Sequence, residues 1–171
     1  MARKTSLREY QTAVAERLRT AAQRGAAAAS KLGFMVGDSR WIMNLQDVAE
    51  VLPVPPIVAI PLTKAYFIGT CNVRGNLYGV VDFSAFMGRP PMTPSVESRL
   101  LLLPSTFVQG AALLVSRMAG LRSPEAFVQG DREHDAPSWV AHTYRDADEQ
   151  IWSELDVASL VQHEQFLNVG R

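Results

Sequence analysis

Cysteine is almost missing from this chain, Cys71 being the single one among 171 residues, so an intramolecular disulfide and a multi-cysteine metal site are both excluded. That usage fits a reducing compartment, and a cytoplasmic protein is expected. Net charge is missing too, because 17 basic side chains balance 17 acidic ones. Without a long-range field, little steers nucleic acid or an anionic membrane onto the chain, and neither is expected as a partner. No run of about 18 apolar residues occurs, so no membrane-spanning helix is encoded and no direct insertion into a bilayer is expected. Charged or polar residues interrupt the N-terminus up to Arg24, which leaves no apolar stretch for a secretory signal.

Chemical signatures are equally sparse. Neither G-x-x-x-x-G-K-[ST] nor G-x-G-x-x-G is present to cradle phosphate, and no G-x-S-x-G elbow exposes a serine. His134, His142 and His163 lie 8 and 21 residues apart, which matches no zinc-binding spacing. Cys71 falls inside an apolar strand pattern, where a thiol is more often a small buried hydrophobe than a nucleophile. Acidic residues gather at Asp131, Glu133 and Asp135 and again at Asp146, Asp148 and Glu149, but neither group has the glycine-containing ligand spacing of a calcium loop. Aromatic residues do not interleave with basic ones, so the stacking platform of a single-strand nucleic-acid binder is absent. No catalytic residue, metal or cofactor is expected.

What the chain does have is an ordinary globular composition, 47% hydrophobic and 20% charged, enough for a sizeable core. Its charge is unevenly placed. Residues 1–31 carry seven Lys or Arg against Glu9 and Glu16, so a basic arm precedes an acidic body. Ser6 and Glu9 are spaced as a capping box, and Leu7, Tyr10, Val14, Leu18 and Ala21 recur at three and four residues, which predicts an amphipathic helix over 6–24 closed by Gly25. The Ala26–Ser30 stretch either prolongs that helix or serves as a linker. Residues 1–30 are thus expected to form a basic helical extension and 31–171 the folded domain.

From Lys31 the period shortens to that of strands. Runs 32–36 and 40–45 flank Gly37-Asp38, a hairpin signal because both residue types tolerate the positive φ of tight reversals. Short pieces at 48–51 and 58–60 flank the Pro53, Pro55, Pro56 cluster, Pro61 follows, and proline at this density confines any strand there to edges or short pieces. A second pair, 68–74 and 77–81, brackets Gly75-Asn76. Residues 82–87 read as one helical turn closed by Gly88, and 89–98, with three prolines, as a connector. Runs 99–103, 111–115 and 139–144 suit further strands, 129–137 an exposed loop, and 154–166 a terminal helix. Many short strands with closely spaced turns predict a mainly β barrel or sandwich.

One stretch, 47–87, carries a sharper signature. Val48-Ala49-Glu50-Val51, Phe67-Ile68-Gly69, Asn72-Val73-Arg74-Gly75 and Val81-Asp82-Phe83 follow one another in the order and spacing of the CheW family's core motifs, and the 32–45 hairpin fits its first two strands. The chain therefore resembles CheW-like coupling proteins. Downstream the likeness thins, since Val115-Ser116 stands where the family has valine-aspartate, and Met118-Ala119-Gly120-Leu121-Arg122 is more similar to the pilus-linked, PilI-type branch serving twitching motility.

The resemblance implies a mainly β fold of two small SH3-like barrels with a C-terminal helix, and no chemistry. It implies an adaptor that docks the cytoplasmic tip of a methyl-accepting chemoreceptor onto the regulatory domain of a CheA-type histidine kinase. Val48, Glu50, Phe67, Gly69, Arg74 and Met118 are the partner-binding residues it suggests. Glu50 and Arg74 are charges inside apolar segments, and pairing relieves the cost of isolated buried charges; alternatively, Arg74 is a solvated hairpin position and Glu50 a solvent-facing strand residue. Gly69 suits a bulge or a close backbone approach. Two other readings stay open: a small β-barrel enzyme using Cys71 or a histidine, and a regulatory domain detached from a kinase or CheV-type protein.

Overall fold

The computed structural model describes residues 12–15 and 31–170. The helix expected over 6–24 lies outside the described residues except for one turn at 12–15, whose residues are all exposed.

Among the described residues, eleven strands form two sheets. The six-stranded sheet has the order β8-β1-β2-β11-β10-β9, built from β1 (Lys31–Val36), β2 (Ser39–Asn44), β8 (Arg117–Arg122), β9 (Val128–Gln129), β10 (Val140–Arg145) and β11 (Ile151–Leu155). The five-stranded sheet has the order β3-β6-β7-β5-β4, from β3 (Glu50–Pro53), β4 (Phe67–Val73), β5 (Asn76–Asp82), β6 (Arg99–Leu102) and β7 (Ala111–Val115). Within residues 31–170, three short α-helices complete the fold: α1 (Phe83–Phe86), α2 (Val157–Gln162) and α3 (Glu164–Leu167). The five-stranded sheet is thus an insertion between β2 and β8. The chain enters it at residues 45–49 and leaves at Ser116, while residues 89–98 join α1 to β6 within it.

Strand period explains why β6 and β7 are apolar throughout. Leu100, Leu102, Ala112 and Leu114 point into one core with Cys71, Val73 and Val80. Their neighbours Leu101, Leu113 and Val115 point into a second core, shared with Phe34, Trp41 and Met43 of the other sheet and with Phe83, Phe86, Leu160 and Phe166 of the helices. Successive side chains face opposite ways, so a strand with cores on both faces has no polar side. Aromatic rings centre the shared core: Trp41 lies 5.1 Å from Phe83, and Trp139 5.6 Å from both Phe83 and Phe86. The first core includes Leu52 and Val54, at and just beyond β3, beside Cys71 and Val73 of β4. These are the two edge strands of the five-stranded sheet, so that sheet curls back on itself.

Asp82 ends β5 and caps α1. Its Oδ1 accepts the Ala85 N–H at 3.1 Å and its Oδ2 the Met92 N–H at 2.8 Å, which satisfies a carboxylate that is 1% exposed. The helical turn expected at 82–87 is therefore present, with Gly88 at φ 75° closing it.

Four expectations need correction. The 58–60 piece is not a strand; only Val58 pairs, bridging Thr70. The second hairpin turns at Arg74-Gly75, one residue earlier than expected. Strands β8, β9 and β11 were not foreseen. The terminal helix does not start at Glu154, which belongs to β11. Asp156 caps α2 by accepting the Ser159 N–H at 3.2 Å, and extended backbone at His163 separates α2 from α3.

Candidate partner-binding site

The β4–β5 hairpin has a two-residue loop, because Val73 pairs with Asn76. Both loop residues take positive φ, 52° at Arg74 and 86° at Gly75, as a turn matched to strand twist requires. The Asn72 side chain accepts the Gly75 N–H at 2.9 Å. From this turn Arg74 reaches Glu50, the first residue of β3. Its Nη1 donates to Oε2 at 2.8 Å, and its Nη2 donates to Oε1. The expected pair exists but is not buried, since the side chains are 71% and 34% exposed. Arg74 is both a solvated hairpin residue and the partner of Glu50. The hydrogen bond from Arg74, more than its charge, holds the Glu50 carboxyl below the usual carboxylate range against a smaller desolvation effect.

Gly69 is buried in β4 at φ 138°, at a register shift in its pairing with β5. A β-carbon there would overlap the Val58 carbonyl. This is the close approach foreseen for a glycine. It lets Val58 exchange hydrogen bonds with Thr70 at 2.8 and 2.9 Å. The segment so held presents Val58 and Leu62 at 66% and 81% exposure. Phe67 starts the same strand, and its ring occupies the space a β-carbon on Gly79 would need.

Val48, Phe67 and Met118 are half-buried and pack against the shared core. Met118 sits opposite Phe34 and walls a groove of about 230 Å³ with Val96, Glu97, Arg99 and Arg117. Of the six expected residues, the structure joins Glu50 to Arg74, places Phe67 and Gly69 on one strand, and sets three apolar side chains on one core. Gly69 itself has no surface to offer.

A polar cluster went unforeseen. Glu154, 8% exposed, accepts hydrogen bonds from Lys31 and from the Tyr144 hydroxyl at 3.1 Å, with His142 Nδ1 at 3.3 Å. Burial pushes this carboxyl up, but the Lys31 bond and charge, with those of His142 and Tyr144, outweigh it and hold it below the usual range. Burial and the Glu154 charge push the Tyr144 phenol up to about 12. His142, Tyr144 and Glu154 come from the β10–β11 hairpin, but the cation that pairs with Glu154 comes from Lys31, 123 residues away, so no local spacing reveals the complete cluster. Cys71 is buried, and burial pushes its thiol up. Among the described residues, no group of three or more His, Cys, Asp or Glu is arranged to hold a metal ion, and no helix is long and apolar enough to cross a membrane.

The profile of the CheW-like domain matches residues 31–165. The chain is 31% identical over 90 residues to the chemotaxis protein CheW of Rhizobium meliloti, covering 53% of this chain and 52% of that one. It is 26% identical over 145 residues to the protein PilI of Pseudomonas aeruginosa, covering 82% and 80%. It spans about half the length of the rhizobial relatives it matches. In fold it is similar to the scaffolding protein TtCheW of Thermoanaerobacter tengcongensis, with a TM-score of 0.62 at 19% identity over 74% of this chain and 87% of that one.

Proposed function

This chain belongs to the CheW-like domain family, and from that premise we propose that it couples the cytoplasmic tip of a methyl-accepting chemoreceptor to the regulatory domain of a CheA-type histidine kinase. A scaffold of chemotaxis signalling, not an enzyme, is the family's general role. The finer reading is carried by one observation. Half-buried apolar residues of the shared core, Val48, Phe67 and Met118, lie among the residues the family resemblance singles out, and so does the exposed Glu50–Arg74 pair. An amphipathic helix needs an apolar surface of this kind to receive its face. Gly69 contributes from beneath by admitting the Val58 segment.

Likeness to PilI over most of the chain, with the Met118–Arg122 segment, supports a pilus-linked, twitching-motility pathway inside the cytoplasm. Residues 1–30 are an appendage to the domain at 31–171 on this reading. Removing them should lower the melting midpoint by less than about 8 °C, the upper end expected for a 1 kcal/mol loss in a small domain.

The test is pull-down with a receptor cytoplasmic fragment and, separately, with the kinase's regulatory domain. Arg74→Glu is the cleaner variant because its side chain lies mostly in solvent, whereas Val48→Asp also wounds the core. Loss of receptor binding by folded Arg74→Glu, with kinase binding kept, supports the reading. Wild-type receptor affinity in both variants, or a parent protein that binds neither partner, overturns it.

A further inference from the structure

The groove beside Met118 has a charge that the apolar residues around it do not explain. It straddles the two sheets, since Arg99 starts β6 of one and Arg117 starts β8 of the other. Its rim is a tight turn at residues 95–98. There the Ser95 N–H donates to Ser98 Oγ at 2.9 Å, the Ser98 N–H to the Ser95 carbonyl at 3.1 Å, and the Glu97 N–H to Ser95 Oγ at 3.2 Å. Arg99 Nη1 adds bonds to the carbonyls of Val96 and Ser98, both at 2.8 Å. So tied, the turn holds the Val96 side chain 93% exposed.

An aliphatic side chain fixed in water by this many bonds gains nothing from the fold. A partner that covers it gains its burial without having to order the turn, because the ordering is complete beforehand. The guanidinium groups point to the partner's charge. Arg117 is exposed and its guanidinium has no hydrogen bond or ion pair among the described residues, while the Arg99 guanidinium bonds only to backbone carbonyls. Glu97 shares the groove but lies within ion-pair distance of neither. Two positive charges therefore face one negative charge, in contrast to Arg74, which Glu50 neutralises.

We propose that this groove selects for acidic partners: it takes a helix that seats an aliphatic residue between Val96 and Met118 and sets carboxylates against Arg99 and Arg117. The proposal rests on the receptor-coupling reading and adds the chemistry of the segment recognised. Arginine suits the task because its planar fork meets a carboxylate with two parallel bonds. A helix with lysine or arginine at those positions is rejected by the same groups, so the pair discriminates among receptor tips as well as attracting one.

The test is calorimetric titration of the full chain with a purified helical-hairpin cytoplasmic fragment of a methyl-accepting receptor encoded in the same genome. Arg117→Glu and the double variant Arg99→Glu/Arg117→Glu are compared with the parent at low and high salt, after melting curves establish that each is folded. The expected result is a loss of affinity of at least about tenfold in the double variant, shrinking as salt rises. Glu97→Gln should tighten binding, and a fragment with its tip acids changed to lysine should recover affinity for the double variant. Unchanged affinity of the double variant, while Arg74→Glu weakens the same fragment, removes the inference and leaves the coupling reading standing. If the fragment does not bind the parent protein, both fall. If the reversals weaken the kinase's regulatory domain or self-association and not the fragment, the groove serves that partner and the inference fails.

Discussion

Arg74 holds Glu50 across the seam of a curled sheet. β3 and β4 are the two edges of the five-stranded sheet, and the ion pair runs from the turn after β4 to the first residue of β3. The bond is a clasp in solvent. Exposed pairs gain little because water already serves both charges and salt screens them.

Glu50→Gln and Arg74→Gln should therefore each leave the melting midpoint close to that of the parent protein. Their double-mutant cycle should still show a coupling, one that fades as salt rises. The sign with pH follows from a folded-state carboxyl held below its ordinary value. The contribution is present above the unfolded pKa and is lost as pH falls through the folded one. A large loss from either single change, independent of salt, would mean that the pair is buried in solution.

Gly69→Ala should be severe and Gly37→Ala mild. Both glycines have positive φ, but a β-carbon on Gly37 meets nothing within 4 Å. That substitution carries only the backbone penalty, roughly 1–2 kcal/mol. At Gly69 the new carbon also collides with the Val58 carbonyl, so the bridge to Thr70 must open. Denaturant midpoints of the two variants measure the difference, and equal losses would deny the close approach.

The Lys31–Glu154 pair is mostly withdrawn from water, its side chains 15% and 10% exposed. Glu154→Gln strands Lys31 with its charge and should cost about 3–5 kcal/mol in denaturant unfolding, as removing one partner of a buried pair does. The Glu154 carboxyl is held below its ordinary value, so the parent protein keeps this stability above the unfolded pKa and loses it as pH falls through the folded one. The variant's stability should be flatter over that acid range. At the alkaline end the sign reverses. The Tyr144 phenol titrates near 12, so its contribution is complete below about 10, the unfolded value, and is lost on approach to 12.

Cys71, 2% exposed with its thiol pushed up by burial, should react with an aromatic disulfide reagent only as fast as the five-stranded sheet opens. Stoichiometric labelling within seconds in buffer, without denaturant, would contradict that placement.

Much of this fold was legible in sequence because much of it is local. Gly37-Asp38 and the Arg74-Gly75 region announce hairpins, Asp82 with Gly88 brackets a helical turn, and the apolar runs of β6 and β7 announce strands buried on both faces. The Glu50–Arg74 contact was legible as well, but on an argument from burial that the solvated geometry does not bear out. β8 was missed because RMAGLR has no fully buried residue, mixes exposed and half-buried ones without alternation, and is broken by Gly120. β11 was missed because Trp152 and Glu154 share a face that looks half polar until Lys31, His142 and Tyr144 arrive from β1 and β10. Asp156, a capping residue three before Ser159, was the local signal that the last helix begins later. Met118 was singled out in sequence, but the charge beside it was not legible, since Arg99 of β6 and Arg117 of β8 line one groove only in the folded chain.

The insertion of one sheet within the other also sets a schedule for synthesis. Residues 50–115 hold every strand of the five-stranded sheet in one continuous run, so that half of the core is complete in sequence while the C-terminal third is still being translated. β1 and β2 emerge earlier but must wait, paired only with each other, because β8 and β11, which flank them, come after residue 116. During that interval Phe34, Trp41 and Met43 have no helix α2 or α3 to cover them. Pairings this distant are slow to close, and an apolar hairpin left open on a nascent chain invites aggregation. Yield from rapid overexpression should therefore depend on chaperone supply and on temperature more steeply than the stability of the finished protein would suggest.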